Sequence, residues 1–401
     1  LDAVLRAVLL AGGYVVRRFL AAVITCISVF ILAMILTGCA EPVPPATDRG
    51  QIISIGLILP LDGDYAKYGQ LCKNAIDLAV DAVNSGGGML GMQVEAIAGN
   101  DGAGDMVAKS AAEQFVSVQH VSAIVGPYTN QFSLAAASVC QENHTPMISI
   151  RASERNVTEI GSCIFRACYL DTYQGEILGR FAARDLKAKK AVVVFNESDE
   201  NSGELIENFK KEIKRGGGEV VAELPYKQTT SDFTDLGKKL AGIKPDVVFL
   251  PDYEDKAGLI MKEAASRGIN TIYLGTDLWD TGKLYKIAGK ACINSYLPRH
   301  FSPDDNSPEV KEFVKLYESD YGVKPGPSAA LAYDAINLVF EAMRKANSAD
   351  PREIRNALSG IKDYKGVTGN YTFDNNRNPQ KGGVIVKIVE GGEKFEKRIA
   401  P

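Results

Sequence analysis

Several residues in this sequence are of a type and position suited to holding the charged groups of a small molecule. Asp277 follows the apolar run 271–274, at the carboxyl end of a predicted strand. Open α/β sheets bind ligands at such ends, and a carboxylate there can meet a cationic group or simply cap the next helix. Gly126-Pro127-Tyr128-Thr129-Asn130-Gln131 and Ser149-Ile150-Arg151-Ala152-Ser153 each follow a short apolar run. Loop-to-helix junctions carry backbone N–H groups without intrahelical partners, and the helix dipole adds to their pull on an anion. Thr129 or Asn130 could add a side-chain donor. Both loops read equally well as plain connections with capping residues. A guanidinium can grip a carboxylate with two parallel hydrogen bonds, so Arg151 could read an anionic group. It could also point outward towards Glu154, or pair with Asp277 in an empty cleft. Tyr253 offers a ring face for cation–π contact. Asp252 and Asp255, close by, read as solvated or capping.

Other chemistries find less support. His120, His144 and His300 are not spaced as a zinc motif. Cys163 and Cys168 lack the two-residue spacing of a metal or redox pair. No G-x-S-x-G elbow occurs, and the many acidic residues form no interpretable catalytic pair. Gly86-Gly87-Gly88-Met89-Leu90-Gly91 fits G-x-G-x-x-G, but it follows a helix and leads into a strand, the reverse of a dinucleotide site. No cofactor and no metal are therefore expected. The formal net charge of −4 leaves no electrostatic footprint for nucleic acid. Lys210-Lys211 with Lys214-Arg215 is read as a solvated helix face.

Arg17-Arg18 precedes an uncharged apolar run that starts at Phe19 and ends in Leu36-Thr37-Gly38-Cys39. A basic start, an apolar stretch and small residues before a cut make a secretory signal. The Leu-x-Gly-Cys ending resembles the bacterial lipobox, whose cysteine is lipidated and becomes the mature N-terminus. The expectation is a signal peptide over 1–38 and a lipidated Cys39. A Pro-rich tether over 39–51 follows, and the protein is moored outside the cytoplasm to a bacterial membrane. Each buried methylene adds about 0.8 kcal/mol, so two or three acyl chains hold stably where one does not. An uncleaved transmembrane helix is the alternative; the Gly-Cys end and Pro42, Pro44 and Pro45 favour cleavage. Five of the seven cysteines (Cys72, Cys140, Cys163, Cys168 and Cys292) then remain in the body, an odd number that leaves a free thiol.

From residue 52 onward, β-branched runs alternate with helical patterns. Strands are predicted over 52–59, 92–98, 123–125 and 146–149, with helices over 65–84, 105–118 and 130–143. Asp105 is taken as an N-cap. The alternation restarts at 191–195 and continues through strands 219–224, 247–250 and 271–274, with helices over 203–215, 233–241 and 254–267. Such alternation implies parallel sheets flanked by helices, and two runs imply two α/β domains. Helices over 309–321, 328–345 and 351–359 lack strands of their own and should pack on a sheet built earlier. Strands near 371–373 and 383–389 should join an existing sheet. A chain that crosses repeatedly between domains makes a hinge of several strands.

Read in order, Ile55-Gly56-Leu57-Ile58-Leu59-Pro60-Leu61-Asp62-Gly63 with Tyr68-Gly69, Asn84-Ser85-Gly86-Gly87-Gly88, Ile124-Val125-Gly126-Pro127 and Pro146-Met147-Ile148-Ser149 resemble the bacterial periplasmic leucine/isoleucine/valine-binding protein family. Asp171-Thr172-Tyr173-Gln174-Gly175, Gly275-Thr276-Asp277 and Ala332-Tyr333-Asp334-Ala335 extend the likeness over nearly all of 52–390. The resemblance implies a two-lobed α/β fold of the type I periplasmic-binding-protein kind. Its expected lobes are 52–171 with 300–366, and 172–299 with 367–401. It implies that the loops holding Thr129, Asn130, Ala152 and Ser153 take a ligand carboxylate and that Asp277 takes its ammonium. Tyr68 and Tyr253 would close over the ligand from opposite lips. Asn130 stands where the family usually has a serine, and Ser153 matches a family threonine; two departures matter more: Ser202 stands where a tyrosine is usual, and Arg151 where a small residue is. The second departure raises the idea of a polar or acidic ligand.

The function expected from the resemblance is a solute-binding lipoprotein of an ABC transporter. It would capture an amino acid, branched-chain or more polar, by hinge closure and deliver it to a membrane permease. A sensor reporting to a receptor is the alternative, and an extracytoplasmic hydrolase is less favoured. The expected partners are the small-molecule ligand, the permease and, through the anchor, the membrane; no nucleic acid is expected, and the protein should be a monomer.

Overall fold

Two open sheets organise the chain. The computed structural model describes residues 52–102, 104–199 and 202–401; the expected signal peptide, Cys39 and tether lie outside the described residues. β1 (Ile53–Leu59), β2 (Val94–Asn100), β3 (Ala123–Val125), β4 (Met147–Ser149) and β5 (Ile164–Arg166) form the first sheet in the order β2-β1-β3-β4-β5. All of its ladders are parallel. In the second sheet, β6 (Lys190–Asn196), β7 (Glu219–Tyr226), β8 (Val247–Leu250), β9 (Ile272–Gly275) and β10 (Tyr296–Arg299) run parallel. A short hairpin, β11 (Tyr364–Gly366) and β12 (Gly369–Tyr371), stands apart from both sheets. β13 (Gly383–Val389) and β14 (Gly392–Ile399) then add antiparallel to β10, giving β14-β13-β10-β9-β8-β6-β7.

Val247-Val248-Phe249-Leu250 is buried along its whole length, as parallel strands covered by helices on both faces should be. β14, Gly392-Glu393-Lys394-Phe395-Glu396-Lys397-Arg398-Ile399, is a charged edge strand, a composition that discourages further pairing. The late helices Pro308–Tyr321, Pro327–Ala346 and Pro351–Ser359 each carry proline in the first turn. Phe313, Leu331, Ile336 and Ile354 share one core with Ile55, Leu57 and Phe165, so these helices pack on the first sheet as expected.

Three local expectations change. Gly104, not Asp105, is the N-cap of the helix Asp105–Ser117; Asp105 lies inside the first turn, where its charge meets the helix dipole. The strand near 371–373 joins neither large sheet. It pairs with β11, because the buried Asp334 carboxylate accepts hydrogen bonds from the Val367 and Thr368 amides, the Thr368 hydroxyl and the Tyr371 hydroxyl. Val367, Tyr371 and Phe373 consequently pack in the first core. A division at 366/367 would cut this core, and the chain returns to the second sheet only at Gly383.

The chain passes between the sheets after β5, after β10 and before β13. Within each sheet the order reverses beside its first strand: β2 and β3 flank β1, and β7 and β8 flank β6. Loops at the carboxyl ends of strands splay apart at such reversals and leave a crevice.

Candidate ligand-binding cleft

A cavity of about 800 Å³ opens at those carboxyl ends. Ser153 reaches it from beyond β4, Asp171 from beyond β5, Asn196 from the end of β6, Tyr253 from beyond β8 and Asp277 from beyond β9. Five connections, drawn from both lobes, therefore present polar groups to one space.

Asp277 is the most heavily engaged of them. Its side chain is 6% exposed and pairs with Arg151 at 2.7 Å, so the first lobe's Arg151 meets the second lobe's carboxylate. The Gln174 side-chain amide donates to Asp277 at 2.8 Å and accepts from the Asp277 backbone N–H at 2.9 Å. Arg299 donates to the Asp277 carbonyl at 2.9 Å. Burial alone would raise the Asp277 carboxyl; the Arg151 charge, with the Gln174 hydrogen bond and the Arg299 charge, outweighs it and holds the carboxyl below its ordinary value. The Asp277 carboxylate, with Tyr128 nearby, outweighs the cost of burial and holds Arg151 firmly charged. Of the readings open for Arg151, the pair with Asp277 is the one observed. Beyond that pair, Arg299 and His300 line a second space of about 410 Å³. His300 is buried with Nδ1 lacking a protein partner. Burial, reinforced by the Lys381 charge, pushes its pKa far below the ordinary value, so it is neutral.

Asp171 is in a different state. Its hydrogen bonds come from neutral groups, the Ser153 hydroxyl at 2.7 Å and the Gln174 amide at 3.4 Å. Surrounding protein and the nearby Asp277 charge raise its carboxyl from 3.8 to about 6. Gln174 thus bridges two carboxylates, of which, among the described residues, only Asp277 has a cation in contact. At the mouth of the cleft Arg155 pairs with Glu204 from the other lobe at 2.5 Å. With both side chains about half exposed, that pair is worth roughly 0–1 kcal/mol.

Ser153, Ser202, Tyr253 and Asp277 line the main cavity, while Tyr68, Thr129, Asn130 and Ala152 do not. Thr129 caps the helix Asn130–Glu142, accepting from the Phe132 N–H. Asn130 accepts from the Glu154 N–H at 3.0 Å and so ties the two loops together. Ala152 is buried. Ser202 donates to the Asp199 carbonyl at 2.9 Å. Tyr68 stacks on Tyr128 with ring centroids 5.7 Å apart, and Tyr253 is exposed on the second lobe. Gly126 has φ +104, and an added Cβ would lie 2.0 Å from the Ile58 carbonyl oxygen; only glycine lets this loop tuck under β1.

Asp171 and Gln174 were missed as site residues. Both lie in Asp171-Thr172-Tyr173-Gln174-Gly175, where an acid and an amide three apart, at a helix start, were the available signal.

The profile of a family described as periplasmic binding protein matches residues 52–393. The chain belongs to the periplasmic binding protein family. A Leu/Ile/Val-binding protein homolog 2 from Brucella abortus is 29% identical over 329 residues, which cover 82% of this chain and 87% of that protein. The crystal structure of the branched-chain amino acid transporter substrate-binding protein LivJ from Streptococcus pneumoniae, in complex with isoleucine, matches at 29% identity and a TM-score of 0.69. That match covers 88% of this chain and all of the other. A branched-chain amino acid ABC transporter structure from Rhodospirillum rubrum, described as putative in function, matches at 25% identity with a TM-score of 0.78, over 86% and 100% of the two chains. This periplasmic binding protein therefore has the two-lobed type I fold and is a binding protein, not an enzyme. Among the described residues, no helix is long and apolar enough to cross a membrane.

Proposed function

We propose that this periplasmic binding protein captures a free amino acid of the branched-chain class and hands it to the permease of an ABC transporter. The observation that carries the reading is the charge balance at Gln174. Asp277 is already neutralised by Arg151, so Asp171 is the carboxylate left to receive an ammonium. Asp277, Ser153 and Gln174 complete that end of the site. The loop holding Ala152 and Ser153 would take the carboxylate, and Tyr253 and Tyr68 would close over the ligand from the two lips. Leu170, Leu205 and Leu278 give the main cavity apolar wall for an aliphatic side chain. The relatives named for leucine, isoleucine and valine support the same class.

Capture would proceed by closure of the two lobes about the three crossings, driven by the ligand's better fit to the closed form. The sequence pattern at Cys39 supports a lipid anchor, with residues 39–51 keeping the globule within reach of its permease.

Thermal unfolding with a panel of amino acids tests this reading. Leucine, isoleucine or valine should raise the midpoint at pH 7.5, and the shift should shrink at pH 5. The sign follows from Asp171. Its carboxyl is raised to about 6, so above that pH it is ionised and attracts an ammonium, while below it the group is protonated and neutral. For the ligand-free protein the same group works in the opposite sense. A folded-state pKa above the unfolded value favours the protonated fold, so its contribution to stability falls as pH rises through about 6. A ligand-induced shift of equal size at both pH values would remove Asp171 from the ammonium site.

A further inference from the structure

Arg166 is the last residue of β5 and is fully buried, although it carries a charge. Its guanidinium turns towards the loop that follows β4. One terminal nitrogen donates to the Ala152 carbonyl at 2.5 Å. The other donates to the Glu154 carbonyl at 2.6 Å, with longer contacts to the Arg155 carbonyl at 3.4 Å and the Thr158 hydroxyl at 3.3 Å. In a trans peptide the C=O and N–H point in opposite directions. Carbonyls 152, 154 and 155 are drawn inward, so the N–H groups of Ser153, Arg155 and Asn156 turn the other way. Those three residues line the main cavity, and their N–H groups have no acceptor among the described residues. The Glu154 N–H alone is taken, by Asn130.

The charge of Arg166 is itself only partly answered. Its Nε has no protein partner. Burial pushes its pKa down, and the opposing influence of Cys168, Asp171 and Asp374 does not restore it. A buried cation thus stands directly behind a row of outward-facing amides.

We infer that Arg166 is a positioning residue for the ligand's anionic group: it sets the peptide planes of residues 152–156 so that their N–H groups converge on a carboxylate, and it supplies the charge behind them. The inference rests on the amino-acid reading above. It completes the charge pattern of the site, with Asp171 opposite the ammonium and Arg166 behind the amides.

The test compares leucine with leucinamide, which keeps the ammonium and side chain but lacks the negative charge. Calorimetric titration of the wild type should show a clear preference for leucine. In Arg166→Met that preference should shrink by about tenfold or more, with Arg166→Lys intermediate. A merely structural brace would weaken both ligands equally and leave the ratio unchanged. Should Arg166→Met fail to fold, amide hydrogen exchange on the wild type decides. The Ser153, Arg155 and Asn156 amides should be slowed by leucine and less so by leucinamide. An unchanged preference in folded variants, or equal slowing by both ligands, overturns the inference alone. Failure of the wild type to bind leucine at all overturns it together with the amino-acid reading.

Discussion

Asp171→Asn should weaken binding of a branched-chain amino acid by roughly a hundredfold, about 3 kcal/mol, while making the empty protein more stable. The affinity loss follows from removing one member of a desolvated charge pair, which typically costs about 2–5 kcal/mol. Asparagine keeps the size of the side chain and can still bond the Ser153 hydroxyl and the Gln174 amide. Charge is therefore the quantity removed. The gain in stability follows from the raised carboxyl, pushed up to about 6 by surrounding protein and the Asp277 charge, and it is small because Asp171 is exposed in the empty cleft, where solvent screens much of the penalty. An ionised group in that position opposes folding at neutral pH, and replacing it relieves the opposition. Stability gained as function is lost is the pattern of a residue kept for its ligand. Calorimetric titration and urea unfolding of the same variant check both halves. Retained affinity would show that the ammonium is bound elsewhere.

Arg151→Ala should destabilise the ligand-free protein by about 2 kcal/mol and alter leucine and glutamate affinities by the same factor. Removing one partner of a buried pair costs about 3–5 kcal/mol. The lower figure applies here because a third of the Arg151 side chain meets solvent and Gln174 still bonds the stranded Asp277. The equal effect on the two ligands follows from what Arg151 touches. Its guanidinium is engaged by Asp277, so a second acidic group on a ligand would have to break a bridge already made across the cleft. Urea unfolding measures the first effect, and titration with both amino acids the second. A loss confined to glutamate would instead show that Arg151 leaves Asp277 to read the ligand's side chain.

The alternation of strand and helix was legible in the sequence because apolar runs such as Ile53–Leu59 and Val247–Leu250 are buried on both faces. β5 was not legible, since Ile164-Phe165-Arg166 is short and ends in a charge that only its tertiary contacts explain. Those contacts are carbonyls 11 to 14 residues away, in a loop whose path no local pattern sets. The hairpin β11–β12 was hidden for a similar reason: Asp334, more than thirty residues upstream, anchors it. Within the site, Asp277 was found from its place after a strand. The choice among the readings of Arg151 needed the fold, which brings together residues 126 apart. Asp171 and Gln174 gained meaning only once Gln174 was seen to bridge two carboxylates.

The central claim is that the cleft reads both charged ends of one amino acid. Calorimetric titration of the intact protein with leucine, isopentylamine and 4-methylpentanoate at pH 7.5 tests it directly, because the last two each lack one charged end. Leucine should bind near micromolar affinity, about −8 kcal/mol, and each truncated ligand roughly a hundredfold more weakly. Binding of 4-methylpentanoate or isopentylamine as tight as that of leucine would contradict the account.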